Sequence, residues 1–291
     1  MDYLIDAGPS GPYSWSAHAN ALKCLRLAAW SKRDRERGGG PCPSPALIKG
    51  SLMHVGLAHH YELKRQAPLN EKLEEQQLYC PDNPYPPHEA IQVLADSQPD
   101  AHKGEWNRYV PEVQKALDYY LLHWGSESWR PRAIERILET TIVDEERDKV
   151  YDYTQRADAI FTHPMQRKHF IWDHKTTFRI QDSTTKRYTL SGQFLGYNML
   201  GSRLFGERYG GVMLNMIGWG DKKKGPQFER IVVPHSPFAQ ERFLKTLLHA
   251  RRMMDDHAHL EPGQKPGAHH ETVCWGTYGP CKYFDRCQHG E

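Results

Sequence analysis

The 291-residue chain has no stretch of about 18 consecutive apolar residues, which excludes a helical membrane span. Its start, MDYLIDAGPSGPYSW, lacks both a basic n-region and an apolar h-region, so no secretion signal is read there. A cytoplasmic location is the default expectation. An excess of one charge is also missing: 38 Lys and Arg against 36 Asp and Glu leave a formal +2. A nucleic-acid partner therefore has to be held by local basic patches rather than by a basic body. No G-x-x-x-x-G-K-[ST] loop occurs, which excludes a P-loop motor in these residues. There is no internal repeat and no low-complexity linker. Cysteine is sparse, six in all, and in a reducing compartment thiols or metal ligands are expected rather than disulfides. Histidine, by contrast, is plentiful at 17, so a lone His says little about metals.

What is present reads as an α/β chain. Residues 16–31 (SAHANALKCLRLAAWS) read as a short helix, and the charged Gly/Pro-rich stretch 31–45 as a loop. Pro45, with Ser44 as N-cap, opens a helix to residue 65. Residues 78–104 are Pro-rich and read as irregular. Trp106, Tyr109, Val110, Val113, Leu117, Tyr120, Leu121 and Trp124 then make a helical stripe over 105–124. Strands are predicted over 132–144, 150–161 and 169–177, the last two joined by the hairpin loop THPMQRK. A helix over 188–205, strands at 210–219 and 228–235 around the basic turn GDKKKGP, and a helix over 237–258 precede a Cys-rich tail. The expected fold is one α/β domain over residues 1–291: a central mixed β-sheet flanked by helices, with helical insertions.

The stretch FIWDHKTTFRI (170–180) carries the chemistry. As a strand it turns Asp173 and Lys175 to one face and Phe170, Trp172 and His174 to the other. On the preceding strand Asp152, Thr154, Arg156, Asp158 and Ile160 share a face, and Asp158 comes opposite Asp173 across the hairpin. Opposed carboxylates repel and destabilise a sheet unless a divalent cation lies between them. Oxygen ligands in a partly open site suit Mg²⁺ or Mn²⁺. Lys175 would project beside that ion, positioning water or neutralising charge that develops on a phosphate. The plain alternative is a solvated Asp/Lys pair, which contributes little. In the helix from residue 45, Leu47, Gly50, His54, Leu57, Ala58 and Tyr61 share a stripe. His54 thus faces inward, as a core histidine or a ligand, and Gly50 lets the helix approach a sheet closely. His59 and His60 fall at or beyond the stripe's edge and read as surface. Gln193 and Tyr197 stand one helical turn apart, a spacing that serves packing or nucleic-acid contact.

Taken in order, GSLMH (50–54), RAD (156–158), DHK (173–175) and QFLGY (193–197) resemble the motifs of the PD-(D/E)XK nuclease superfamily, in its RecB-like branch. The resemblance spans residues 16–290. It implies a PD-(D/E)XK nuclease core in which His54, Asp158 and Asp173 are metal ligands, joined by the main-chain carbonyl of His174. It makes Lys175 the catalytic lysine and has Gln193 and Tyr197 support the site and the DNA strand. Glu135 matches an acidic residue that some relatives carry upstream. Gln155 departs from the glycine that the family often has three residues before its first Asp; the departure is not at a ligand.

CWGTYGPCKYFDRC (274–287) spaces three cysteines as C-x6-C-x5-C. They are one short of the four thiolates that zinc or an iron–sulfur cluster takes. Cys24, in ALKCLRLAAW, is the first choice for the fourth. Cys42 is its rival, and Cys42 and Cys80 both lie in Pro-rich loops. The resemblance implies a [4Fe–4S] cluster. Certain CRISPR-associated nucleases and AddB-type helicase–nuclease subunits staple one N-terminal cysteine to three C-terminal ones in this way. Cys24, Cys274, Cys281 and Cys287 would then join 1–31 to 260–291. Many such relatives space the first pair more tightly than x6; zinc and free thiols are the other readings.

The expected function is a Mg²⁺- or Mn²⁺-dependent deoxyribonuclease, of the exonuclease kind, that hydrolyses phosphodiester bonds in DNA processing, recombination or repair. Its partner would be DNA, single-stranded or with free ends, alongside a separate recombinase, annealing protein or helicase. The alternative is a non-catalytic nucleic-acid-binding module of a recombination or repair assembly; a third reading is a hydrolase of another phosphodiester. KRDRER (32–37) and DKKK (221–224) would track a phosphate backbone or simply stay solvated.

Overall fold

The computed structural model describes residues 13–36, 42–66, 85–220, 225–268, 270–276 and 279–289. Cys80, the DKKK turn and the last residue of KRDRER lie outside the described residues. Helices α1 (Trp15–Lys23) and α2 (Leu25–Glu36) lead to α3 (Pro45–Gln66), α4 (Pro87–Asp96) and α5 (Asp100–Trp124). Strands β1 (Arg130–Asp144), β2 (Lys149–Thr162) and β3 (His169–Thr177) follow, then α6 (Asp182–Thr189) and α7 (Gly192–Phe205). After β4 (Tyr209–Gly218), β5 (Gln227–Val233) and α8 (Pro237–Asp256) come the short α9 (Glu271–Cys274), β6 (Trp275–Gly276), β7 (Gly279–Pro280) and α10 (Phe284–His289). No helix among the described residues is long and apolar enough to cross a membrane.

The fold is α/β, with a five-stranded sheet in the order β1-β2-β3-β4-β5 flanked by helices. The sheet is mixed: β2 and β3 are antiparallel, β3 and β4 parallel, β4 and β5 antiparallel. A parallel step needs a crossover, which α6 and α7 supply between β3 and β4. The chain divides into two compact units. One takes Cys42–Leu138 and Arg156–His235, the other Ser10–Pro41, Glu139–Gln155 and Ser236–Glu291.

In the first unit, α3, α4 and α5 pack with Phe161, Phe170, Trp172, Met213 and Ile217 of the sheet into one apolar core. α7 lies on the opposite face, where its side chains reach Asp173. A Cβ added at Gly50 would lie 3.1 Å from the Thr176 hydroxyl, so the glycine does let α3 come close to β3. In the second unit, the Trp15 ring packs tilted against Phe243 of α8, while Arg252 of α8 pairs with Asp144 and Glu146.

Three elements differ from the sequence reading. The helix predicted over 16–31 is broken at Cys24, whose backbone is extended (φ −167°, ψ 123°). The stretch 78–104, read as irregular, contains α4 and the start of α5. Its described prolines mark helix starts, with Pro87 in the first turn of α4 and Pro99 just before α5. Proline costs nothing at that position, because its missing N–H has no helical partner there. The helix predicted from 188 begins at Gly192, with α6 as a separate helix before it. His59 is a further correction. It is buried rather than surface, because α4 and α5 cover the outer side of α3 and leave that helix little solvent face.

Candidate functional site

The β2–β3 register pairs Ala159 with Trp172, and one step along it Asp158 stands across from Asp173. The Asp158 Oδ2 atom accepts the His174 main-chain N–H at 2.6 Å and lies 3.5 Å from His54 Nδ1. Asp173 is fully buried. Its Oδ1 accepts from Gln193 Nε2 at 2.9 Å and from the Tyr197 hydroxyl at 3.1 Å. Tyr197 also reaches the Arg156 carbonyl at 2.6 Å, so one phenolic proton serves two acceptors. Asp173 Oδ2 is paired with the Lys175 ammonium and has no other partner among the described residues. His54, Asp158, Asp173, His174, Lys175, Gln193 and Tyr197 are thus brought to one place, from α3, β2, β3 and α7.

Burial raises the proton affinity of both carboxylates, and their surroundings then push them apart. Burial and the neighbouring Asp158 charge raise the Asp173 pKa above its ordinary value despite Lys175. At Asp158 burial is outweighed by His54, His174, Lys175 and the His174 N–H, and its pKa is lowered. Lys175 loses hydration, yet Asp173 and Asp158 hold its pKa above the usual lysine value. Desolvation takes His174 down to about 3, so its ring is neutral.

Glu135 completes the set. One ligand atom each from His54, Glu135 and Asp158 lie within 4.8 Å of one another. Glu135 has φ 48°, a left-handed conformation unusual for a non-glycine residue inside a strand, and Arg156 Nε sits 3.0 Å from its carboxylate. A positive φ leaves no mark in alternation or composition, so only the resemblance pointed to this residue. The sequence reading missed Asn215 and Arg230, which lie behind His174 and bond to one another. Asn215 lies on an apolar strand and Arg230 among the polar residues of β5, and nothing in their spacing marks them.

The second unit holds a different arrangement. Cys24, Cys274, Cys281 and Cys287 line one cavity of about 200 Å³, together with Leu27, Trp30, Val273 and Phe284. The tail folds back on itself there: the Cys281 N–H bonds the Cys274 carbonyl at 2.8 Å. Burial raises the Cys287 thiol pKa against the pull of the Arg26 guanidinium. Among the described residues no three of these sulfurs lie within 4.8 Å of one another, so the thiols share a cavity without converging on a point. Cys42 is exposed and does not line it.

No family model matches the chain, and no curated protein matches it. A crystal structure of SSO0001 is similar at a TM-score of 0.32 and 16% identity, over 72% of this chain and 87% of that one. A likeness at that level carries no inference.

Proposed function

We propose that the chain is a divalent-metal-dependent DNA nuclease of the PD-(D/E)XK type. One observation carries the reading: buried Asp173, paired through Oδ2 with Lys175, stands across from Asp158, whose carboxylate lies with ligand atoms of His54 and Glu135 within 4.8 Å of one another. Burying two facing carboxylates with one cation costs several kcal/mol per uncompensated ion. A hard divalent cation would offset that cost, and the oxygen-rich donor set with one imidazole fits Mg²⁺ or Mn²⁺.

His54, Asp158, Asp173, Glu135 and the His174 carbonyl would hold the ion. When bound, it would polarise a phosphoryl oxygen and acidify a water. Gln193 and Tyr197 keep Asp173 oriented by donating to its other oxygen. Lys175, with its pKa raised, is held as an ammonium. It would place a positive charge beside the phosphorane-like transition state. Lys186 and Arg187, exposed on α6 two residues or fewer from Tyr188, offer a basic rim; Tyr188 itself interacts electrostatically with Lys175 and Asp173. Such a rim favours a polyanionic strand over a small phosphodiester.

In the second unit, Cys24, Cys274, Cys281 and Cys287 would hold a [4Fe–4S] cluster with a structural role. The test is direct. End-labelled and circular DNA, single- and double-stranded, are incubated with the protein in Mg²⁺, Mn²⁺ or EDTA. Metal-dependent cleavage that Lys175→Ala abolishes supports the reading; binding without cleavage in either metal rejects it in favour of a binding module.

A further inference from the structure

His174, Asn215 and Arg230 stand side by side across β3, β4 and β5, in direct register. Asn215 is completely buried. Its Oδ1 lies 3.2 Å from Arg230 Nε, and its Nδ2 lies 2.8 Å from His174 Nδ1 and 3.0 Å from the Tyr120 hydroxyl. A guanidinium has donors only, so the oxygen of the amide has to be the atom facing Arg230. The two amide hydrogens then point at His174 and Tyr120. His174 Nδ1 is left to accept, which leaves Nε2 as the ring nitrogen that carries the proton.

Arg230 is itself held firmly. It pairs with Glu127, donates to the hydroxyls of Tyr61 at 3.0 Å and Tyr120 at 2.8 Å, and lies over the rings of Trp124 and Trp172 at 3.8 and 4.5 Å. Tyr61 also stacks on the His174 ring at 5.9 Å. The relay ends at the residue between Asp173 and Lys175, whose main-chain N–H is given to Asp158.

We propose that Asn215, oriented by Arg230, is a positioning residue: it fixes His174 as the Nε2–H tautomer and so holds the His174 peptide where Asp158 and a divalent ion can use it. The inference rests on the metal reading of that site, and its first test does not. In metal-free protein, a long-range ¹H–¹⁵N correlation spectrum, with His174 assigned by its loss in His174→Gln, should show a bare Nδ1 and a protonated Nε2. A proton on Nδ1 overturns the relay. The second test is calorimetric titration with Mn²⁺, taking Asp158→Asn as the non-binding control. Asn215→Asp offers oxygen where the amide hydrogens stood, and it should move the His174 proton to Nδ1 and weaken Mn²⁺ binding by about 10- to 100-fold, the usual cost of losing such a supporting partner. A variant with the moved proton but wild-type Mn²⁺ affinity overturns the positioning role. Wild-type protein that takes up no Mn²⁺ removes the metal reading and leaves the tautomer assignment to stand or fall on the spectrum.

Discussion

The two units prepare their candidate sites in opposite ways. In the sheet unit the donors are hard, buried and already fixed, with Asp173 held by Gln193 and Tyr197 and Asp158 by the His174 N–H. In the cysteine unit the donors are soft, the lining is apolar, and the thiols share a cavity without closing on a point. Protein hydrogen bonds pre-organise the first; only a bound inorganic group would draw the second together. Losing an ion should therefore cost the sheet unit its chemistry and the cysteine unit its stability.

The largest effect expected is on that chemistry. Lys175→Ala and Asp173→Ala should each lower the DNA cleavage rate by about 10²- to 10³-fold, the scale seen when a single transition-state charge partner is removed. DNA affinity should change little for Lys175→Ala, because its ammonium contributes mainly in the transition state. Both variants cleaving at the wild-type rate would place the chemistry elsewhere.

The sequence showed the framework better than the site. β3 spans the predicted residues and β2 lies within a residue at each end, because alternation marks β2 and a short apolar run after a turn loop marks β3. α4 was hidden by prolines that in fact sit at helix starts, and buried His59 by the assumption that α3 has a solvent face. At the site, the residues that recur within short local motifs were legible: His54, Asp158, Asp173, Lys175, Gln193 and Tyr197. Those that act through backbone conformation or across the sheet were less so. Glu135 depends on a positive φ, and Asn215 and Arg230 on a register that joins strands distant in sequence.

The comparison sharpens at Cys24, at the break between α1 and α2. By the loop-closure account used for disulfides, tying this point to the tail would be worth about 2–4 kcal/mol, which amounts to several degrees of melting temperature. Cys24→Ala should lower bound iron and melting temperature together, measured on anaerobically purified protein. Cys42→Ala should change neither. A colourless wild-type protein carrying stoichiometric zinc would replace the cluster and keep the tie.

Glu135 separates binding from strain within the sheet unit. Glu135→Gln should weaken Mn²⁺ binding by about tenfold, at the lower end of what altering one donor group costs. Glu135→Gly should bind Mn²⁺ as weakly, yet melt higher than the Gln variant, because glycine adopts φ 48° without the penalty a side chain brings. If the Gly variant melts lower, the left-handed turn at 135 is not a source of strain.

The smallest effect concerns a part of the cysteine unit that needs no metal. Asp34 of α2 accepts from the Tyr283 hydroxyl at 2.7 Å and from Arg286 Nη1 at 3.2 Å, tying α2 to the tail through ordinary polar contacts. The Tyr283 hydrogen bond, against a small burial cost and with Arg286 adding to it, holds the Asp34 carboxyl below its usual pKa. A carboxyl more acidic in the folded chain than in the unfolded one stabilises the fold above the unfolded value of about 3.9. That contribution fades as pH falls through the lower folded value. Asp34→Asn should therefore melt slightly below wild type at neutral pH, and the two should converge once the pH falls below the folded-state pKa. The contacts are partly exposed, so the gap should be a degree or two at most and should shrink in high salt. A gap that persists unchanged at low pH would assign the effect to packing of Tyr283, which lies 5.4 Å from the ring of buried Trp30, rather than to the carboxylate.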